Sequence, residues 1–293
     1  MAAAPTDNRR GALLLVAAAA VFTAEVVVVR LIGERAGSAQ IVAARAVVQL
    51  VAVAAIILAR NPRLFVTARP GMHLLRGLTS LVCWWLYYRS FQSLDMALAT
   101  VLTFTTSLFV VALAAPLLGE AVGARRWAMT ALGFAGVVLA SGARGLDVEP
   151  GLLFGLGAAV SGAALVFQNR VLARTEATLT IMVYIALIAT LGTAPVAALD
   201  WQPLGGATLA LVALGGGLGT LGMFLTIEAY RTGEVSALAP FPYTRLVFAV
   251  AAGAVLFGEV PTPATLAGGA LIIGCALAVS RHERRRGLRA PGH

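Results

Sequence analysis

Three polar side chains sit deep in apolar runs of this chain: Glu25, Arg45 and Gln49. Glu25 lies 14 residues into a run that starts at Gly11, ~21 Å along it if the run is helical. Arg45 lies 7 residues into the next run, from Ser38, ~10 Å from its start. On antiparallel neighbours of ~32 Å the two depths nearly coincide, so an ion pair is feasible. A lone charge at such depth in a bilayer costs several kcal/mol, so a partner or water is expected. Gln49 follows Arg45 by four residues and shares its helical face. Such a group could bind or relay a proton, or hold a charge on a substrate. It could equally fix helix packing as a buried pair, or open onto a wet rim. The sequence leaves these readings open.

A second set is aromatic. In "LVCWWLYYRSF", Leu81, Trp84, Trp85 and Tyr88 recur at spacings of three, four and seven, one face of a helix. They could line a cavity; Trp and Tyr also gather in belts at membrane interfaces or simply pack. Phe104, Tyr184, Phe224 and Tyr243 are further candidates for the same lining. Arg245 lies near the middle of another apolar run, after Pro240 and Pro242. Two prolines remove two backbone donors and loosen a helix start, and freed carbonyls beside a broken helix commonly line transport cavities. Arg245 could read a substrate carboxylate there, or pair structurally with Glu228 or with carbonyl groups. Gln168 and Asn169 are read with Arg170 as the polar end of a helix. The glycines at 215, 216, 217, 219 and 222 are read as close-packing positions.

Little else suggests catalysis. His73, His282 and His293 all lie outside the deep parts of the runs, and neither Cys83 nor Cys275 has a Cys or His neighbour at metal spacing. The expectation is no catalytic residue, no metal and no cofactor. Without a GxxxxGK[ST] stretch, no ATP drive is expected in this chain and no ATPase subunit is implied.

These residues need long apolar elements to hold them. Of 293 residues, 59% are hydrophobic and 12% charged, and mean hydropathy is +0.88. A soluble domain carries charge on about a quarter of its residues. All 22 basic residues are Arg and they cluster at the ends of apolar runs, which does not suit a nucleic-acid face. Ten runs are long enough to cross a bilayer core of ~30 Å: 11–32, 38–59, 71–91, 96–117, 127–143, 151–172, 179–199, 206–231, 235–257 and 261–280. The excess of Arg in alternate loops places both termini in the cytoplasm. The fold class is therefore an all-α integral membrane protein, expected in a bacterial inner membrane, with the lipid bilayer and a small-molecule substrate as partners.

The runs repeat. At an offset of 139, Glu120 of "LLGEAVG" falls on Glu259 of "LFGEVPT", Phe91 on Tyr230, Ser93 on Thr232, Asp95 on Glu234 and Gly11 on Pro150. The expected organisation is a cytoplasmic segment 1–10, a five-helix repeat 11–148, a second repeat 149–281 and a basic cytoplasmic tail 282–293. With five spans per copy, the second enters the membrane from the opposite side. The repeats are then inverted, an arrangement that gives secondary transporters a site reachable from either face. The two Gly-Glu sites mark equivalent ends and are read as structural.

The ten runs, the duplicated half, "FQSLDMALAT", "YRTGEVSALAP" and "ALAPFPY" followed by "LFGE" resemble the drug/metabolite transporter superfamily, EamA type, over about residues 11–281. Within it, the chain is similar to amino-acid exporters of the YddG type. The resemblance implies export of amino acids, aromatic or otherwise apolar, or of other small metabolites, by alternating access through an aromatic-lined cavity. Multidrug efflux is the alternative within the class; a receptor or intramembrane enzyme is the alternative outside it.

Overall fold

The structure, a computed structural model, describes residues 7–118, 124–141, 149–172, 175–199, 201–232, 238 and 241–287. Among them all regular structure is helical. The helices are α1 (Asn8–Ile32), α2 (Ser38–Arg60), α3 (Pro70–Ser93), α4 (Met96–Phe104), α5 (Thr106–Leu118), α6 (Ala124–Ser141), α7 (Pro150–Leu172), α8 (Thr178–Leu199), α9 (Gly206–Thr232), α10 (Thr244–Phe257) and α11 (Pro263–Gly287). Short 3₁₀ turns stand at Gly33–Arg35, Pro62–Phe65 and Phe241–Tyr243.

Local chemistry sets the boundaries. Asp7 Oδ1 accepts the Arg10 amide at 2.9 Å and caps α1, and Pro70 opens α3 where its missing donor is not needed. Gly258, in the left-handed region at φ 66°, ends α10; a side chain there would be strained. Among the described residues, five helices are long and apolar enough to cross a membrane: Asn8–Ile32, Ser38–Arg60, Pro150–Asn169, Thr178–Leu199 and Gly206–Ala229. Helix α3 is comparably long but is interrupted by His73, Arg76 and Arg89.

The fourth apolar run was expected as one helix and is broken at Thr105. The run "TFTTS" explains the break: Thr105 Oγ1 donates to the Leu102 carbonyl at 2.6 Å and Ser107 Oγ to that of Phe104 at 2.8 Å. Hydroxyls that take backbone carbonyls compete with the helix ladder. The ninth run changes type at the equivalent place. Phe241–Tyr243 is a 3₁₀ turn, Thr244 Oγ1 donates to the Phe241 carbonyl at 2.7 Å beside Pro242, and the α-helix α10 begins at Thr244. Thr105 and Thr244 are 139 residues apart.

That offset runs through the fold. The ends of α3 and α9 (Ser93, Thr232), the ends of α5 and α10 (Leu118, Phe257) and the starts of α6 and α11 (Ala124, Pro263) each differ by 139. Helices α2 and α6 pack against their own counterparts α8 and α11, and α4 packs on α10, the counterpart of α5. Small residues permit the closest approaches. A Cβ on Gly136 of α6 would meet the Gly268 carbonyl of α11 at 3.0 Å. Gly77 lies against Ile188, and its counterpart Gly216 lies against Val48.

The chain forms two compact units, each drawing on both sequence halves. One comprises Met1–Thr23, Asp95–Glu149 and Gly222–His293; the other comprises Ala24–Leu94 and Pro150–Leu221. In the first, Leu15, Ala229 and Leu238 form a buried cluster. In the second, Val28, Val29, Ile32, Ile41, Val42, Tyr88 and Val212 form the core.

Candidate functional site

The second unit holds the polar group that the sequence singled out. Glu25 of α1 and Arg45 of α2 pair, with Arg45 Nε 2.8 Å from Glu25 Oε1. Residue exposures of 2% and 5% bury both charges, so the pair must satisfy itself within the protein. Tyr88 of α3 donates its hydroxyl to the same Glu25 Oε1 at 2.6 Å. The Arg45 guanidinium carbon lies 3.9 Å from the centroid of the Trp84 ring, a cation–π contact. Gln49 gives its amide to the Met182 carbonyl at 3.1 Å, which ties α2 to α8. Gly219 of α9 closes on the heads of the pair: a Cβ there would strike Glu25 Oε1 and stand 2.6 Å from Arg45 Nε. Four helices therefore converge on one carboxylate.

Trp85, the next residue along α3, points elsewhere. It is half-exposed and meets Phe154 of α7 edge to face with centroids 5.9 Å apart. Neighbours on a helix diverge by about 100°, so Trp84 and Trp85 serve different surroundings.

In the first unit the remaining candidates gather at the two helix breaks. Phe104 and Tyr243 meet edge to face with centroids 5.0 Å apart. The Arg245 guanidinium carbon lies 5.6 Å from the centroid of the Phe22 ring. Phe224, also in this unit, is exposed. Pro240 and Glu120 lie outside the described residues. Glu259 was read as a structural end of its repeat, and its partner lies on another helix. Its carboxylate accepts the Met96 amide at 2.9 Å, at the start of α4.

Two polar clusters of the second unit went unnoticed in the sequence. Arg76, 4% exposed, donates to Asn169 Oδ1 at 2.9 Å and to Ser80 Oγ. Gln168 Nε2 donates to Thr79 at 2.9 Å, so Gln168 and Asn169 bind α3 rather than forming a solvated end. The second cluster centres on Glu176. It accepts the Thr67 hydroxyl at 2.8 Å and the Ala68 amide at 3.2 Å, and lies 3.9 Å from His73 Nε2. Tyr184 stacks on His73 with ring centroids 4.6 Å apart and donates to the Phe65 carbonyl at 2.8 Å. Gln168, Asn169 and Tyr184 stand out in the sequence, but nothing in type or spacing joins them to Arg76, Glu176 or His73; only the fold does.

Comparison with known proteins agrees with this architecture. The EamA-like transporter family matches residues 9–142 and 149–281. The S-adenosylmethionine uptake transporter of Rickettsia felis is 31% identical over 219 residues, 75% of this chain and 74% of that protein. The riboflavin transporter of Vibrio cholerae is 28% identical over 226 residues, 76% of each. A chain solved by crystallography has the same fold at a TM-score of 0.63 and 23% identity, covering 94% of this chain and 98% of that one. The relatives are transporters, not enzymes. With both halves matched and its apolar helices in place, this chain is an integral membrane protein that belongs to the EamA-like transporter family.

Proposed function

We propose that this chain is a secondary transporter that moves a small metabolite bearing an α-amino-acid group by alternating access between two inverted repeats. The observation that carries the reading is the pair of helix breaks at Thr105 and Thr244, at equivalent positions of the two copies. Broken spans at repeat-related positions supply the bent, polar backbone on which transporter sites are built. Five spans per copy and the packing of α2 and α6 on their own counterparts support inversion. The Arg excess in alternate loops supports cytoplasmic termini in an inner membrane.

S-adenosylmethionine, the substrate named for the Rickettsia relative, is itself an α-amino acid carrying a heterocycle, so it and the apolar amino acids form one chemical class. Phe104 and Tyr243 offer apolar ring surface, and Arg245 a cation two residues beyond Tyr243. Apolar pockets of this kind separate similar groups by only ~1–3 kcal/mol, which favours a broad substrate range. Multidrug efflux is the competing reading, favoured by the same ring surface.

The test is flux into liposomes holding the purified protein, with labelled S-adenosylmethionine, phenylalanine, riboflavin and a hydrophobic cationic dye. Movement of the first two, without ATP, is the expected result. Movement of the dye alone would establish the competing reading. Inside-out and right-side-out vesicles give the direction, for which the family resemblance implies export and the Rickettsia relative's name says uptake.

A further inference from the structure

We propose that the Glu25–Arg45 pair is the receiving site for the head of a zwitterion, with the ligand's ammonium on Glu25 and its carboxylate on Arg45. This deepens the transport reading and rests on it. The first argument is unmet valence. Arg45 Nε and the Tyr88 hydroxyl converge on one oxygen of Glu25. Arg45 Nη1, a donor, and Gln49 Oε1, an acceptor, are both buried with no hydrogen-bond partner. Gln49 is fully buried, and its amide nitrogen is held by the Met182 carbonyl. Its oxygen is therefore fixed, and buried polar groups left unpaired are costly. The unmet pair is one donor and one acceptor, four residues apart on one face of α2.

The second argument is charge. Glu25 and Arg45 together are neutral. A simple cation that displaced Arg45 from Glu25 would leave a buried guanidinium without a counter-charge. A simple anion would strand Glu25 in the same way, and an uncompensated buried charge is strongly unfavourable. A zwitterion parts the pair without stranding either charge. Its carboxylate takes the planar fork of Arg45, Nη1 included, in the two-point geometry that guanidinium favours. Its ammonium has three donors, one for Glu25 and one for the waiting Gln49 oxygen. Tyr88 stays on Glu25 and holds the carboxylate in place as Arg45 moves. Trp84 already offers its face to a cation, so the guanidinium keeps a contact while it shifts.

The third argument is the wall. Helix α9 meets the charged heads with Gly219, where a Cβ would strike Glu25. At that point the site is bounded by backbone, and Gly219 itself brings no side chain to compete for Arg45 or Glu25.

The experiment is equilibrium binding to the full-length protein in nanodiscs with three matched probes. Labelled phenylalanine carries both charges, phenethylamine the cation alone and 3-phenylpropanoate the anion alone. S-adenosylmethionine against its decarboxylated form repeats the comparison on a larger body. Each single-charge probe should bind roughly 10- to 100-fold more weakly than its zwitterion. Gln49→Leu leaves the ion pair intact and should fold; it should weaken zwitterion binding about tenfold. Arg45→Gln should narrow the gap between phenylalanine and phenethylamine, and Arg45→Lys should restore part of it. Equal binding of zwitterion and amine overturns the proposal, as does failure of either zwitterion to bind. So does a gap that survives Arg45→Gln and vanishes in Arg245→Gln. If liposomes move S-adenosylmethionine while zwitterion and amine bind alike, the site falls and the transport reading stands. If zwitterions bind through Glu25 and Arg45 but liposomes move only the dye, the site stands and the transport reading falls.

Discussion

The rings of Phe104 and Tyr243 meet edge to face at 5.0 Å between centroids, and these two residues are 139 positions apart, the offset of the internal repeat. Each copy thus touches the other through the same position, immediately before the Thr105 and Thr244 breaks. Positions that touch their own counterparts lie on the axis that relates two copies.

The aromatic pair should show energetic coupling. Phe104 is 9% exposed, so Phe104→Ala should cost about 3–5 kcal/mol. With Tyr243→Ala added, the double variant should lose less than the two single losses together. The shortfall should be about 0.5–1.5 kcal/mol, the value of an edge-to-face pair beyond its buried area. Thermal unfolding of the four proteins in one detergent measures it. Simple additivity would mean that the rings touch without interacting.

Tyr88→Phe removes the hydroxyl from Glu25 and leaves the ring in place. A hydrogen bond to a buried carboxylate is worth about 1.5–3 kcal/mol, so the unfolding midpoint should fall accordingly. The zwitterion should also bind more weakly, because Glu25 is then held by one donor fewer. An unchanged midpoint would show that water replaces the hydroxyl, and that the pair is not dry.

Much of this was legible because it depends on one dimension. The helix ends at Ser93, Leu118 and Ala124 repeat at 139 because apolar length and Gly, Pro and Asp punctuation are written along the chain. The depths of Glu25 and Arg45 follow from rise per residue, and so their pairing could be expected. What stayed hidden depends on rotation and on neighbours distant in sequence. Trp84 and Trp85 shared one helical face by spacing, yet the first lies on Arg45 and the second on Phe154. Tyr88 read as ring surface, and its hydroxyl is what reaches Glu25. The interruption at Thr105 was hidden because threonines are tolerated inside apolar helices; only the hydroxyl's choice of the Leu102 carbonyl marks it. Glu176 gave no sign of His73, 103 positions earlier in the chain.

The glycines of α9 should separate by position. Nothing lies within 4 Å of a Cβ built on Gly217, whereas one on Gly219 collides with Glu25. Gly217→Ala should be neutral or stabilise by up to about 1 kcal/mol through helix propensity. Gly219→Ala should destabilise by about 1–3 kcal/mol through overpacking and lower zwitterion affinity with it. Equal effects at the two positions would mean that α9 does not close on the pair as described.

Glu259 should act as a remote cap for α4. Its carboxylate accepts the Met96 amide at 2.9 Å, where helix N-termini favour negative charge. Glu259→Ala should cost about 0.5–2 kcal/mol, and Glu259→Gln should recover part of this by keeping the acceptor. The comparison separates charge from hydrogen bonding in thermal unfolding. A glutamine variant as unstable as the alanine variant would assign the whole effect to charge.

The two ends of the second unit are tied unequally, and hydrogen exchange should show it. At one end, Glu176, Thr180 and Tyr184 hold Thr67, Ala68, Leu64 and Phe65, the segment between α2 and α3. The repeat places Gly37, Ile41 and Arg45 at the equivalent positions; the first two have no polar side-chain atom, and Arg45 is turned to Glu25. There Gln40 donates to the Gln202 carbonyl at 2.9 Å. Under the proposed alternating access each end would open in turn, and the bonds at an end would set how often it does. Glu176→Ala removes two acceptor contacts at once. Each bond to a carboxylate is worth about 1.5–3 kcal/mol, so opening of residues 62–69 should become at least about tenfold more frequent. Their amide exchange should quicken to match, while residues 201–205 exchange as before. Gln40→Ala should do the reverse. If Glu176→Ala quickened exchange equally at both ends, the cluster would be stabilising the unit as a whole and would not be a local tie.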